Sequence, residues 1–212
     1  MKVKICGITR YDDAQAAIEA GADLLGFNFY AKSPRYIEPL SAAMIIEAIR
    51  TNRAAVQMVG VFVNSPLEAI ATIMDECGID LAQLCGDEPP ETLAALDGRA
   101  FKALRPKDTT DLAQSLQCYQ PKTGSPAYLV DAYRPGEYGG TGRPADWRLA
   151  RSLAEGYPVL LAGGLTPQNV ADAIQQVHPW GVDVASGIEE APGRKDPARL
   201  AAFIKTAKET KV

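Results

Sequence analysis

Short apolar runs alternate with longer stretches in which apolar residues recur every three or four positions, along nearly the whole chain. KVKIC (2–6) sets lysine against valine and isoleucine with a period of two, so it predicts a strand. YDDAQAAIEAG (11–21) carries the helical period and ends on Gly21. DLLGFNF (23–29) predicts a strand, EPLSAAMIIEAIR (38–50) a helix, and the valine-rich VQMVGVFV (56–63) another strand. SPLEAIATIMDECG (65–78) is the clearest helix, with Leu67, Ile70, Ile73, Met74 and Cys77 as its apolar stripe and Gly78 as its stop. Its start predicts Ser65 as N-cap, Pro66 in the first turn and Glu68 closing a capping box.

The alternation continues with a strand at 79–84, a helix at 89–98 and a strand at 99–104. A helix near Thr109–Tyr119, a strand at 127–132 and a helix from about Asp146 to Glu155 come next. PVLLAGG (158–164) leads to Thr166–Pro167, a predicted N-cap and first turn for a helix bearing Val170, Ile174 and Val177. GVDVASG (181–187) is the last predicted strand. Asp196–Pro197 opens a final helix with Leu200, Phe203, Ile204 and Ala207 facing inward. About eight strand–helix units in 212 residues is the α/β pattern of a single-domain (β/α)8 TIM barrel spanning 1–212. A doubly wound sheet also alternates, but it rarely packs eight units into so short a chain.

Composition narrows the function. Hydrophobic residues make up 47% of the chain, enough for one large core. A net charge of -4 without a basic run argues against nucleic acid and anionic membranes as partners. No apolar stretch approaches the roughly 18 residues of a membrane span. Met1 leads straight into a strand, so a signal peptide is not expected. Cys6, Cys77, Cys85 and Cys118 form neither a CxxC pair nor a zinc spacing, which suits free thiols in a reducing cytoplasm. The single histidine, His178, stands at a predicted helix end before Pro179, where its side chain would complement the last carbonyls. Without a second histidine, a Ser-His-Asp site or a multi-histidine metal site is all but excluded. Acid–base work falls to Asp, Glu, Cys, Lys or Tyr.

In a (β/α)8 barrel the chemistry lies at the C-terminal ends of the strands. The first strand ends in Cys6. The second is followed by Lys32, Ser33, Arg35 and Tyr36. The fourth ends at Gln83 and Cys85, and the sixth at Asp131. The seventh gives Gly163 and Gly164, and the eighth Asp183, Ser186 and Gly187. Two glycine-bearing turns on the seventh and eighth loops predict a phosphate site, since glycine lets backbone N–H groups approach an anion. The segment 133–147, polar and rich in glycine, is too long for a plain connection and predicts a lid or a disordered segment overhanging the mouth.

KICGIT, SPRYI, VGVFVN, AQLCGDE, LVDA, EYGGTG, AGGLTPQNV and VDVASGIE resemble, in order, the signature segments of the phosphoribosylanthranilate isomerases. The resemblance spans nearly the whole chain. It implies a cofactor-free Amadori rearrangement in tryptophan biosynthesis, on a small phosphorylated substrate, in a cytoplasmic monomer or homodimer with no metal. It implies Cys6 as general base, Asp131 as general acid and Arg35 as the ligand of the anthranilate carboxylate. Substrate-binding roles are expected for Gln83, Gly139, Gly140, Gly163, Gly164, Asp183, Ser186 and Gly187. The chain departs from the family pattern at Cys85, usually histidine, at Ala145, and at Ala185, usually serine.

The implied chemistry explains a cysteine at a strand end. An acid protonates the furanose oxygen and opens the ring to a Schiff base. A base then removes the C2′ proton, and the enolamine tautomerises to the ketone. A free thiol is only about 3% ionised at pH 7, and half-ionisation needs about 2 kcal/mol of thiolate stabilisation. Arg35 or Lys4 is expected to supply it. The rival readings are another phosphoribosyl aldose–ketose isomerase, which would favour an aspartate in place of Cys6; a phosphosugar lyase or decarboxylase, for which Lys4 is the candidate; and a barrel that binds a sugar phosphate without turning it over.

Overall fold

The computed structural model describes residues 1–51, 55–121, 124, 126–133 and 145–211. Eight parallel strands close into a barrel in chain order. They are β1 (Lys2–Cys6), β2 (Leu24–Asn28), β3 (Gln57–Phe62), β4 (Leu81–Leu84), β5 (Ala100–Leu104), β6 (Tyr128–Val130), β7 (Val159–Leu161) and β8 (Gly181–Val184). Closure is made by β1 on β8, where Lys4 pairs with Asp183 in register and Ile5 with Val184. Each strand is followed by a helix: α1 (Tyr11–Glu19), α2 (Pro39–Thr51), α3 (Leu67–Cys77), α4 (Pro90–Ala95), α5 (Thr109–Cys118), α6 (Trp147–Ala154), α7 (Val170–Val177) and α8 (Pro197–Glu209). Between β8 and α8 lies a two-stranded antiparallel ribbon, β9 (Glu189–Ala191) and β10 (Arg194–Lys195).

Two apolar layers follow from the period of two. Val3 and Ile5 of β1, with Met58 and Phe62 of β3, turn outward and pack under the helices. Leu24, Val59, Val61, Phe101, Ala103, Leu129 and Leu160 fill the barrel interior. The lysines of KVKIC therefore belong to the other face. Lys4 is fully buried inside the barrel, where its Nζ donates to Asp183 Oδ1 at 2.8 Å. No helix among the described residues is long and apolar enough to cross a membrane.

One predicted helix start is corrected. α3 begins one residue later than a Ser65 cap requires: Pro66 occupies the cap position, with no side-chain hydrogen bond. Its extended ψ of 146° puts Ser65 a residue too far upstream, so no capping box forms. At Thr166–Pro167 the start is as expected: Thr166 Oγ1 accepts from Gln168 N at 3.3 Å, and its carbonyl accepts from Val170 N at 3.1 Å. Asn169 Oδ1 returns the bond by accepting from Thr166 N at 2.8 Å, Asn169 Nδ2 donates to the Gly164 carbonyl, and the regular turns of α7 run on from Val170. Asp196 caps α8 as expected, accepting from Ala198 N and Arg199 N. His178 does end α7, but as a left-handed residue (φ 53°) whose backbone N–H caps the Ile174 carbonyl.

Candidate active site

The carboxyl ends of the strands surround one cavity of about 480 Å³. Cys6, Arg35, Gln83, Asp131, Gly163, Gly164, Asp183, Ser186 and Gly187 all line it, although they come from six different strand–loop junctions. Gly139 and Gly140, with most of the segment 133–147, lie outside the described residues.

Cys6 stands where β1 ends. Gly7 follows with φ 76°, and a β-carbon there would sit 2.6 Å from Arg35 Cδ. The turn thus needs glycine twice: for its left-handed backbone, and for the arginine stem lying over it. Across the barrel wall, Gly26 of β2 pairs with Cys6. A β-carbon on Gly26 would lie 2.9 Å from Cys6 Sγ and 3.2 Å from Lys4 Nζ, so this glycine makes the space the thiol and the ammonium share.

The expected lowering of the Cys6 pKa is overturned. Burial pushes the thiol above its ordinary value. Lys4 and Lys195 oppose that shift, while Asp183 adds to it. Arg35 is not free to act alone. Its Nε donates to Glu189 Oε1 at 3.0 Å and its Nη2 to Oε2 at 2.7 Å, a side-on pair. Burial alone would raise the Glu189 carboxyl, but Arg35 and Lys195 hold it below the ordinary carboxylate range.

Asp131 leaves β6 with its backbone N–H on the Leu104 carbonyl, and its Oδ1 accepts from Ala132 N at 2.7 Å. Gly163 (φ 88°) faces it, and a β-carbon there would come within 3.0 Å of Asp131 Oδ1. The loops after β7 and β8 are pressed together, since a β-carbon on Gly187 would collide with the Leu165 carbonyl oxygen. Ser186–Ile188 makes a single 3-10 turn, so what this loop offers an anion is its backbone N–H groups, with little helix dipole behind them.

On β4, Gln83 Nε2 donates to Cys85 Sγ at 3.1 Å, and Gln83 Oε1 is buried with no partner among the described residues. Burial pushes the Cys85 thiol up to about 12, against the Gln83 hydrogen bond, so Cys85 is a protonated wall of the cavity. Asn28, Tyr30 and Arg105 also line the cavity and were missed from the sequence. Asn28 and Arg105 mark where β2 and β5 end, so the strand-end rule that found Cys6 and Asp131 would have found them. Glu189 and Lys195 lie beyond the strand-end rule, because the ribbon carrying them is an addition to the strand–helix repeat; the signal for Glu189 was its place at the end of VDVASGIE.

Residues 3–206 match the family model for N-(5'phosphoribosyl)anthranilate (PRA) isomerase. The chain belongs to this isomerase family. It is 49% identical over 208 residues to the N-(5'-phosphoribosyl)anthranilate isomerase of Geotalea daltonii, covering 98% of this chain and 97% of that one. The crystal structure of phosphoribosyl anthranilate isomerase from Thermotoga maritima superposes with a TM-score of 0.87 at 39% identity, covering 98% of both chains. A crystal structure of phosphoribosyl anthranilate isomerase in complex with reduced 1-(o-carboxyphenylamino)-1-deoxyribulose 5-phosphate gives a TM-score of 0.83 at 36% identity, again over 98% of both chains. The eight-stranded barrel read from the alternation is thus the fold of the family.

Proposed function

We propose that this chain, acting as one barrel over residues 1–212, isomerises N-(5-phosphoribosyl)anthranilate to 1-(2-carboxyphenylamino)-1-deoxyribulose 5-phosphate. Asp131 is the general acid and Cys6 the general base. The observation that carries this reading is the sharing of one cavity by a carboxyl at the end of β6, a thiol at the end of β1 and the paired glycine loops after β7 and β8. Asp131 gives its proton to the furanose oxygen as the C1′–O bond breaks. The nitrogen lone pair then forms the Schiff base. The Cys6 thiolate removes the C2′ proton, and the electrons move through C1′ to nitrogen, giving the enolamine, which tautomerises to the ketone. Arg35 meets the anthranilate carboxylate, and the backbones of Gly163, Gly164, Ser186 and Gly187 meet the phosphate. Gln83 Oε1, a buried acceptor without a partner among the described residues, suits a substrate hydroxyl. Asp183 acts from below, holding Lys4 beside the thiol.

The lyase reading is not supported. A Schiff-base lysine must lose its proton, and burial favours that loss, but Asp183 and Cys6 together raise Lys4 above the ordinary lysine value. The test is the decay of phosphoribosylanthranilate fluorescence on adding the protein. Cys6→Ser and Asp131→Asn should each lose about 10²- to 10⁴-fold in kcat while still binding product. Turnover near the wild-type rate in either variant removes that residue from its role.

A further inference from the structure

We propose that Glu189 and Lys195 are positioning residues for the reaction: one buried ion cluster on the β9–β10 ribbon fixes both the backbone of the general base and the arginine that receives the substrate's carboxylate. The inference rests on the roles given above to Cys6 and Arg35.

The ribbon is not needed to close the barrel. β8 already pairs with β1, and a direct link to α8 would complete the eighth unit. Instead the chain returns across β1 and is tied down there. Thr9 Oγ1 donates to the Gly193 carbonyl at 2.6 Å, and Lys195 N donates to Asp13 Oδ2 at 3.1 Å. This brings Lys195, its side chain 1% exposed, under the end of β1. Its Nζ donates to the Cys6 carbonyl at 2.5 Å and to Glu189 Oε1 at 2.7 Å. The same carboxylate takes the Arg35 guanidinium side-on and the Gly193 N–H at 3.3 Å. Arg199 Nη1 holds the Glu189 carbonyl. Through Lys195, Glu189 therefore links the backbone of the base to the binding arginine.

Two consequences follow. The bonds to Glu189 use the Nε–Nη2 edge of Arg35, so the plane of the guanidinium is set before substrate arrives and its remaining donors are left for the incoming carboxylate. The cluster also sets the charge around the thiol. Lys4 and Asp183 face Cys6 from β1 and β8, Arg35 faces it from the loop after β2, and Lys195 and its partner Glu189 face it from the ribbon. Across the cavity stand Cys85, just past β4, and Asp131, just past β6. Glu189 cancels part of the positive charge that Lys195 and Arg35 bring to the thiol.

The two partners should then move the thiol in opposite directions, which loss of structure alone would not do. The experiment is the pH profile of kcat/KM, with KM and kcat measured separately. Glu189→Gln keeps the shape and removes the charge. It should raise KM at least tenfold through Arg35 and move the rising limb to lower pH. Lys195→Met removes a cation and should move the limb to higher pH, with Lys195→Arg restoring the wild-type limb. If Glu189→Gln does not fold, the contrast between Lys195→Met and Lys195→Arg decides the matter on its own. Limbs that stay in place, or that move the same way in both variants, overturn the proposal. Cys6→Ser is run alongside: an active Cys6→Ser enzyme sinks the assignment of the base, whereas an inactive one beside an unchanged Glu189→Gln enzyme sinks only the role of the ribbon.

Discussion

Gly26 shows how little the site depends on special backbone and how much on space. It has no left-handed φ, yet a β-carbon there would press on both Cys6 Sγ and Lys4 Nζ. Gly26→Ala should therefore fold, since a strand accepts alanine, and should lower kcat at least tenfold by displacing the thiol. A variant with normal kcat would show that the thiol has room to spare. The charge state of the same thiol gives a second expectation. Burial raises it in the free enzyme, so the thiolate grows with pH through and beyond the ordinary thiol range. The kcat/KM of the wild type should rise across neutral pH and level off only above about 8.5, the value of a free cysteine. Cys6→Asp keeps a base of low pKa, so its limb should fall several pH units lower, with part of the activity retained. A wild-type plateau already reached at pH 6 would contradict the assignment.

Among the elements, the caps separate what local sequence decides from what the fold decides. Asp196 and Ser65 look alike in sequence, each a capping residue next to proline. Only Asp196 bonds the first turn, at 2.9 Å to Ala198 N and 3.0 Å to Arg199 N. Asp196→Ala should cost about 1 kcal/mol of stability, and Ser65→Ala close to none. Denaturant midpoints of the two variants check this, and equal losses would mean that Ser65 caps α3 after all. The reason for the difference is tertiary. Asn64, left-handed at φ 53°, accepts from Asp87 N at 2.6 Å and donates its own N–H to Glu88 Oε1 at 2.9 Å. The β4–α4 loop thus holds the entry to α3 and shifts its start to Leu67. Strand and helix order were legible because each element is periodic by itself. Starts set by a contact from another loop were not.

For the molecule as a whole, closing the barrel is what turns scattered strand ends into a site. Cys6 and Asp131 are 125 positions apart in the sequence, and only the order β1 to β8 brings them to one mouth. That part was legible, since the strand-end rule needs only the count of units. The ion clusters were not, because a lysine in a strand does not say which face it will take or which loop will meet it. Lys102 is the clearest case. It stands between Phe101 and Ala103, which face the barrel interior, so its own side chain runs outward under the β4–α4 loop. There it is 3% exposed. Its Nζ donates to Glu88 Oε2 at 2.6 Å and to the Gly86 carbonyl at 2.5 Å. Glu88 Oε1 holds Asn64 N and Gly86 N, and the Glu88 carbonyl accepts from Tyr119 Oη. The pair therefore ties the loops after β3 and β4 to β5 and to the end of α5. Taking one charge away leaves the other buried and unpaired, so Lys102→Met should cost about 3–5 kcal/mol. Adding Glu88→Gln removes the stranded charge, while the amide oxygen still accepts from Asn64 N and Gly86 N. The double variant should then be more stable than Lys102→Met alone, with a coupling of about 0.5–3 kcal/mol in a double-mutant cycle. Simple addition of the two losses would mean that the pair acts as two separate loop contacts and that the barrel wall does not depend on its charge.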